Sequence, residues 1–208
     1  MIELKPESLI GSGSTRSCYR HPDDPAKCIK IDKRETDGPT SKEAAYYHKL
    51  TRIRPEFRYT HIPRFYGFVQ TNRGHGGVFD LVRDETDGAI SKGLSDYIRN
   101  GEVSADDPRW KEAHATYMAT LFDEAIIVRD FNPGNISVRR MRDGSLQFVS
   151  IDGIGHRDFV PLCDFARWFA RRKLRRQVEK KHFGSLEEIL NRKSWKQADF
   201  DPQSSSGA

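Results

Sequence analysis

Three polar residues in the second half of the chain have types and spacings suited to phosphoryl transfer. Asn135 follows Asp130 by five positions, and Asp152 ends a later apolar run. Transfer of a phosphoryl group requires a carboxylate that orients the attacking hydroxyl, ligands for Mg²⁺, a cation on the phosphate oxygens and a backbone cradle for the phosphates. The sequence offers a candidate for each of these parts, in a consistent order along the chain.

The loop around Asp130 resembles the catalytic loop of the protein-kinase-like superfamily. Segment 121–136 runs from a predicted helix end through Arg129 and Asp130 to Asn135, where a strand begins. The superfamily pattern is His-Arg-Asp with a later Asn. The resemblance implies that Asp130 is the catalytic carboxylate and that Asn135 binds Mg²⁺. The same residue types also favour an ordinary turn, so this loop alone leaves both interpretations open.

Asp152 and Gly153 follow a second strand, predicted at 146–151 and paired with a strand at 135–139 across a hairpin turn. The pair resembles the metal-binding Asp-Phe-Gly of the same superfamily without its aromatic residue. That resemblance implies that Asp152 holds Mg²⁺ across the phosphates of ATP. An isolated Asp-Gly would be a simple turn, but two carboxylates and an amide in one loop and hairpin favour a metal site.

The first thirty residues contain candidates for phosphate contacts. Gly11, Ser12 and Gly13 lie in a glycine-rich turn whose backbone could closely approach phosphates, although a structural hairpin remains an alternative. Lys30 lies in a strand that resembles the Val-Ala-Ile-Lys strand of the superfamily. The resemblance implies that Lys30 contacts the α- and β-phosphates.

Glu43 belongs to a helix that we predict to begin with Thr40 at its cap. Two roles are open for its carboxylate. It pairs with Lys30, as the resemblance implies, or it completes a capping box with Thr40, because it stands three residues after the cap.

Segments 9–13, 18–22 and 28–30, together with Arg16, resemble the YrbL family, which is named for the PhoP regulatory network. The resemblance covers residues 1 to about 185 and implies a kinase-like α+β fold. We therefore expect one domain over 1–185. Its N-terminal lobe, a small antiparallel sheet with one helix, spans about 1–83, and a reduced, mainly helical C-terminal lobe spans about 84–185. Residues 186–208 are predicted to be a partly disordered tail.

The chain departs from the protein-kinase pattern at several positions. Val128 replaces the His of the loop, Asn132 stands where Ser/Thr kinases have a Lys, and Arg16 replaces a third glycine. No Ala-Pro-Glu follows Asp152, and the Pro-Gly-Asn of the loop resembles small-molecule kinases of the aminoglycoside phosphotransferase type. We predict a Mg²⁺- and ATP-dependent phosphotransferase for a small or lipid-linked hydroxyl acceptor rather than a peptide. The alternative is a nucleotide-binding pseudokinase that acts as a regulatory interaction module.

The predicted secondary structure places these residues around one site. Strands at 3–10, 16–20, 26–31, 64–71 and 78–82 would form a five-stranded sheet, with turns at 11–15 and 72–77. Helices are predicted at 94–99, 107–122 and 161–183. If the fold is kinase-like, Lys30, Asp130, Asn135 and Asp152 converge on one cleft.

The net charge of +5 is concentrated in one segment. Residues 167–181 contain eight Lys or Arg and one Glu, a local charge of +7. We expect this helix to pack through Trp168, Phe169, Leu174 and Val178 and to expose its cations. Two explanations of this positive charge are open: the cations form a solvated face, or residues 171–181 bind an anionic partner. Because the rest of the chain is not basic, a nucleic-acid-binding module is disfavoured.

Other features exclude a membrane-embedded protein. The longest aliphatic run, 125–128, is far too short to span a bilayer, and the N-terminal residues lack the features of a signal peptide. The three cysteines form no Cys-x-x-Cys pair, which favours reduced thiols used for packing. We therefore predict a cytoplasmic location.

Overall fold

The computed structural model describes residues 1–34, 38–155 and 167–191. These residues form a mixed α+β fold with a five-stranded antiparallel sheet and a separate two-stranded hairpin. The α+β class is therefore confirmed. The strands of the sheet, in the spatial order β1-β2-β3-β5-β4, are β1 (Leu9–Ser12), β2 (Arg16–Arg20), β3 (Lys27–Asp32), β4 (Phe65–Thr71) and β5 (Gly74–Asp80).

Two strands differ from the predicted ones. The chain before β1 forms a 3₁₀ turn at Pro6–Ser8, so the strand predicted at 3–10 begins only at Leu9. The predicted turn at 72–77 is shorter, because β5 already begins at Gly74. Gly76 and Gly77 belong to this strand rather than to a turn. Both positions need a glycine because a Cβ atom would lie under 3.0 Å from a side chain of β3 or of the neighbouring helix.

Helix α1 (Pro39–Ile53) covers one face of the sheet. It begins at Pro39 with Gly38 as its cap, and Thr40 donates its hydroxyl proton to Asp32 at 2.6 Å. The predicted cap at Thr40 is therefore wrong. Tyr46 in α1 accepts a hydrogen bond from the backbone of Ile127 at 3.1 Å, which ties the sheet to the helical half of the molecule.

The helical half is built on the hairpin of β6 (Ile136–Arg140) and β7 (Leu146–Ser150). Helix α2 (Leu94–Arg99) and helix α3 (Pro108–Asp123) match the predicted helices closely. Helix α3 packs against β7, and its buried Tyr117 hydroxyl shares a hydrogen bond with Ser150 at 2.5 Å. This packing fixes the hairpin whose two ends carry Asn135 and Asp152.

Helix α4 (Arg167–Lys181) is the described part of the helix predicted at 161–183, and residues 161–166 lie outside the described residues. Leu174 and Val178 are buried, as predicted. Trp168 and Phe169 are 60% and 39% exposed, so the prediction that they supply the apolar side is wrong. The side of α4 that faces the core is instead a row of residues four apart, which begins at Ala170.

Helix α5 (Leu186–Asn191) follows α4 after a short turn. Leu186 and Ile189 are almost fully buried in the same core as α3. The packed core therefore extends past residue 185, and the rest of the predicted tail, 192–208, lies outside the described residues. Among the helices that the structure describes, none is long and apolar enough to span a membrane.

Candidate active site

A cleft of about 1290 Å³ lies between the sheet and the helical half of the molecule. Its walls come from β1, β2 and β3 on one side and from the loops around β6 and β7 on the other. Most of the predicted site residues line it. They are Gly11, Ser12, Gly13, Lys30, Asp130, Asn135 and Asp152.

The loop that carries Asp130 is anchored by the apolar residues before it. The chain leaves α3 through Ala125, whose φ is 48°, and residues 126–128 are then buried. The N–H of Arg129 donates to the carbonyl of Gly153 at 2.8 Å. The buried residues 126–128 and the hydrogen bond of Arg129 fix the chain directly before Asp130. The side chain of Asp130 is half-buried and therefore has a defined position in the cleft.

The Asp130 carboxylate is held by two side chains. One oxygen accepts a hydrogen bond from the amide of Asn135 at 3.1 Å, and the other lies 3.1 Å from the ammonium group of Lys181 in α4. Asp130 and Asn135 are therefore in direct contact. The contact with Lys181 has no counterpart in the sequence pattern.

Asn135 ends a 3₁₀ turn at Pro133–Asn135, which Asn132 caps by accepting a hydrogen bond from Gly134 at 2.9 Å. The carbonyl of Asn135 accepts the N–H of Ile151 at 2.8 Å. Asn135 and Asp152 therefore stand side by side at the open end of the β6–β7 hairpin. The side chain of Asn132 caps this turn. The position at which Ser/Thr kinases have a lysine therefore supplies no cation to the site.

Gly153 brings the Asp152 turn against the Asp130 loop. Its φ is 74°, and a Cβ atom there would lie 3.3 Å from the Cβ of Asp130. A side chain would be both strained and crowded at this position. The close approach of the two loops therefore requires a glycine, and it places the carboxylates of Asp130 and Asp152 in one site.

Lys30 reaches the same site from the centre of β3. Its side chain is buried, and the ammonium group donates to the carbonyl of Ile151 at 2.5 Å. The group also lies 4.3 Å from the centre of the Phe79 ring, which favours a cation. The ammonium group of Lys30 therefore lies at the residue directly before Asp152.

Glu43 does not have the partner that the sequence suggested. Its carboxylate is 1% exposed and accepts a hydrogen bond from Arg16 at 2.5 Å, rather than from Lys30. The capping role is wrong as well, because α1 is capped by Gly38. Glu43 lies behind the cleft instead of lining it, and it contributes to the site through Arg16.

Arg16 is a site residue that sequence reasoning missed. Its guanidinium group is buried and bridges Glu43 and Asp152, one nitrogen to each carboxylate. Burial alone would lower the pKa of Arg16, but the two carboxylates outweigh it and raise the pKa above the usual range. The sequence shows Arg16 only as the replacement of a glycine, and nothing local indicates that it is buried.

The glycine-rich segment lies at the mouth of the cleft. Gly11 and Ser12 belong to β1 rather than to a turn, and Gly13 starts the tight turn into β2. A Cβ atom at Gly11 would meet no atom within 4 Å, so packing does not explain the glycine there. An exposed backbone without side chains is suited to close approach by a ligand.

The side chains present fit Mg²⁺ held together with a triphosphate. No group of three or more His, Cys, Asp or Glu in the described part of the chain could hold a metal by itself. Mg²⁺ is usually bound by one or two protein oxygen ligands and by the phosphates of its substrate. Asn135 and Asp152 supply such oxygens, and Lys30 supplies a cation beside them. Arg16 contacts Oδ1 of Asp152, so a metal there would bind the other carboxylate oxygen or displace Arg16.

The two described cysteines are free thiols. Cys28 is buried and Cys18 half-buried, and both line the cleft. The interaction between the two thiols lowers the pKa of Cys18 and raises the pKa of Cys28. They therefore form part of the cleft wall between β2 and β3 rather than only a distant part of the core.

Comparison with known proteins identifies the family. The model of the family "PhoP regulatory network protein YrbL" matches residues 2–182. The YrbL proteins of Escherichia coli (strain K12) and Shigella flexneri are each 31% identical to the chain over 179 residues. These matches cover 85% of the chain and 84% of each relative. The matched region contains every residue of the cleft described above.

Proposed function

The chain belongs to the family of the PhoP regulatory network protein YrbL, and we propose that it is a Mg²⁺- and ATP-dependent phosphotransferase with a kinase-like fold. One observation carries the proposal. Lys30, Asp130, Asn135 and Asp152 come from three separate segments, and all four line the same cleft. A set of one cation, two carboxylates and one amide in this order is what phosphoryl transfer requires.

Each side chain has a role in this proposal. Asn135 and Asp152 would hold Mg²⁺, which when bound neutralises the charge that develops on the phosphate oxygens. Lys30 would contact the α- and β-phosphates, beside the open backbone of Gly11 and Gly13. Asp130 orients the acceptor hydroxyl and accepts its proton. The hydroxyl oxygen then bonds to the γ-phosphorus as the bond to the β–γ bridging oxygen breaks, and ADP leaves.

A small or lipid-linked hydroxyl compound is the acceptor that we favour over a peptide. The Pro-Gly-Asn sequence of the turn at Pro133–Asn135 resembles that of small-molecule phosphotransferases, and the lysine position of Ser/Thr protein kinases is filled by the capping residue Asn132. Helix α4 stands close to Asp130 through Lys181, which narrows the acceptor side of the cleft.

The second candidate function is a nucleotide-binding pseudokinase that regulates a partner. Arg16 favours it, because its guanidinium group forms an ion pair with Oδ1 of Asp152 and would compete with a metal for that oxygen. In this alternative Arg16 stays in place, and nucleotide binds without turnover. Measurement of ATP turnover separates the two functions.

Substitution of Asp130→Asn tests the proposal. The amide keeps the shape of the side chain but accepts no proton, so we expect ATP hydrolysis and autophosphorylation from radiolabelled ATP to fall by about 10²–10⁴-fold. Affinity for Mg²⁺-ATP should change little. Asp123→Asn, the same substitution at the exposed end of α3, is the control and should behave as wild type. Turnover that is measurable in wild type and unchanged in Asp130→Asn would contradict the catalytic role of Asp130, and Mg²⁺-ATP binding without turnover in wild type would support the pseudokinase instead.

A further inference from the structure

The cationic helix α4 presents two different faces. Ala170, Leu174 and Val178 are buried in the core. The adjacent row, also at four-residue spacing, consists of Lys173, Gln177 and Lys181, which we call the cleft row. Its three side chains are half-buried, whereas the other described cations of α4 are exposed; these are Arg171, Arg172, Arg175, Arg176 and Lys180.

The cleft row forms part of the site wall. Lys173 and Gln177 line the cleft together with Asp130 and Asn135. Lys181 lies 3.1 Å from the carboxylate of Asp130. At 1.5 Å per residue, the two lysines are about 12 Å apart along the helix axis. The row is therefore a cationic strip that begins at the proposed catalytic carboxylate and runs beside the cleft.

We propose that the cleft row binds the acceptor, and that the acceptor is a hydroxyl compound which already carries a phosphate ester. This inference rests on the proposed function, because it assigns the acceptor side of that site. Lys30 and the Gly11–Gly13 segment lie on the sheet side and would take the nucleotide. On the opposite side, beside Asp130, the cleft row supplies two ammonium groups and the amide N–H₂ of Gln177 as donors.

The chemistry of the row selects an anion. The ammonium group of a lysine donates to phosphate oxygens as a rotatable point charge, and the amide N–H₂ of Gln177 adds a directional donor. The local charge of α4 is strongly positive, which favours a dianion beside the row. A phosphate held there would leave a hydroxyl of the same small molecule within reach of Asp130, whose charge Lys181 now balances.

The test compares binding of glycerol 3-phosphate and glycerol to the full chain by calorimetry, with and without saturating Mg²⁺ and a non-hydrolysable ATP analogue. We expect wild type to bind the phosphate ester at least about tenfold more tightly than glycerol. Lys173→Gln/Lys181→Gln should lose most of this preference. Arg172→Gln/Arg176→Gln removes the same charge from the exposed face of α4 and should keep it within about threefold.

A lipid arm uses 1-acyl-glycerol 3-phosphate, which has the same headgroup with an acyl chain. If the acyl compound binds more tightly than glycerol 3-phosphate, the acceptor is lipid-linked, and if the two bind equally, it is soluble. Either result supports the role of the cleft row, provided that the preference for the phosphate ester is lost in Lys173→Gln/Lys181→Gln. Equal losses in both double variants would overturn the inference, as would a wild type that does not distinguish glycerol 3-phosphate from glycerol.

The nucleotide titration of the same samples separates this inference from the proposed function. If the ATP analogue binds and the phosphate ester is not preferred, only the acceptor assignment fails. If the phosphate ester is preferred and the analogue does not bind, the proposed phosphotransferase fails. Weaker binding of the analogue to Lys173→Gln/Lys181→Gln, with the ester preference intact, would assign the row to ATP and overturn the inference.

Discussion

Arg16 links the buried Glu43 to Asp152 at the edge of the cleft. The Glu43 side chain is 1% exposed, and its second oxygen has no hydrogen-bond partner. Burial of a carboxylate costs free energy, which a cation placed against it offsets. The pair therefore links α1 to β2, and Arg16 also contacts Asp152.

Replacement of Arg16 by Gln should destabilise the protein by about 3 kcal/mol, because it leaves the charge of Glu43 buried without its cation. Arg16→Gln/Glu43→Gln should recover a large part of this loss, since no buried charge remains. Urea unfolding of the three proteins gives the free energies. A single variant as stable as wild type, or a double variant no better than the single one, would contradict this account of the pair.

Some residues of the site could be predicted from the sequence and others could not. Asp130, Asn135 and Asp152 were identifiable because loops preserve their spacing and their residue types carry the chemistry. Arg16 and Lys181 were not, since each acts through a partner that is more than 25 positions away. Periodicity reports which side of an element is apolar, but it does not show which distant element that side meets.

At the scale of elements, the site depends on the contact between the Asp130 loop and the turn after β7. Gly153 makes that contact, and Gly144, in the turn between β6 and β7, has a similar φ of 83° with no atom within 4 Å of a Cβ position. The two glycines therefore have the same backbone requirement and differ in whether a side chain would reach the site.

Substitutions Gly153→Ala and Gly144→Ala should each destabilise the protein by about 1–2 kcal/mol, because an L-residue is strained at these φ values. Only Gly153→Ala should also lower ATP turnover, since its methyl group pushes on Asp130. Urea unfolding and a turnover assay measure the two effects. Equal loss of turnover in both variants, or no loss in Gly153→Ala, would show that the loop contact does not position Asp130.

The elements themselves were largely predictable. Strand β2, the β6–β7 hairpin and helices α2 and α3 agree with their apolar periodicity and turn residues to within one or two positions. The start of strand β5 was not predictable, because its glycines are required by close packing against β3 and α1 and do not form a turn. The burial of Trp168 and Phe169 was predicted wrongly for a similar reason, since hydrophobicity alone does not determine which face of a helix packs against the core.

At the scale of the whole molecule, the cleft lies between two halves that are joined by several polar contacts. One is the bond from Ile127 to Tyr46, and another is the bond from Ser150 to the carbonyl of His61 at 2.9 Å. The cationic groups Lys30 and Arg16 come from the sheet half, and the carboxylates Asp130 and Asp152 come from the other. A nucleotide with its metal would therefore contact both halves.

The account as a whole depends on metal-dependent nucleotide binding at Asp152, which calorimetric titration of ATP with and without Mg²⁺ measures directly. We expect Mg²⁺ to tighten binding to wild type by at least about tenfold, or about 1.4 kcal/mol. Asp152→Asn should lose most of that gain, and Asp143→Asn, at the other end of the same hairpin, should retain it. Equal affinity of wild type for ATP with and without Mg²⁺ would contradict the account.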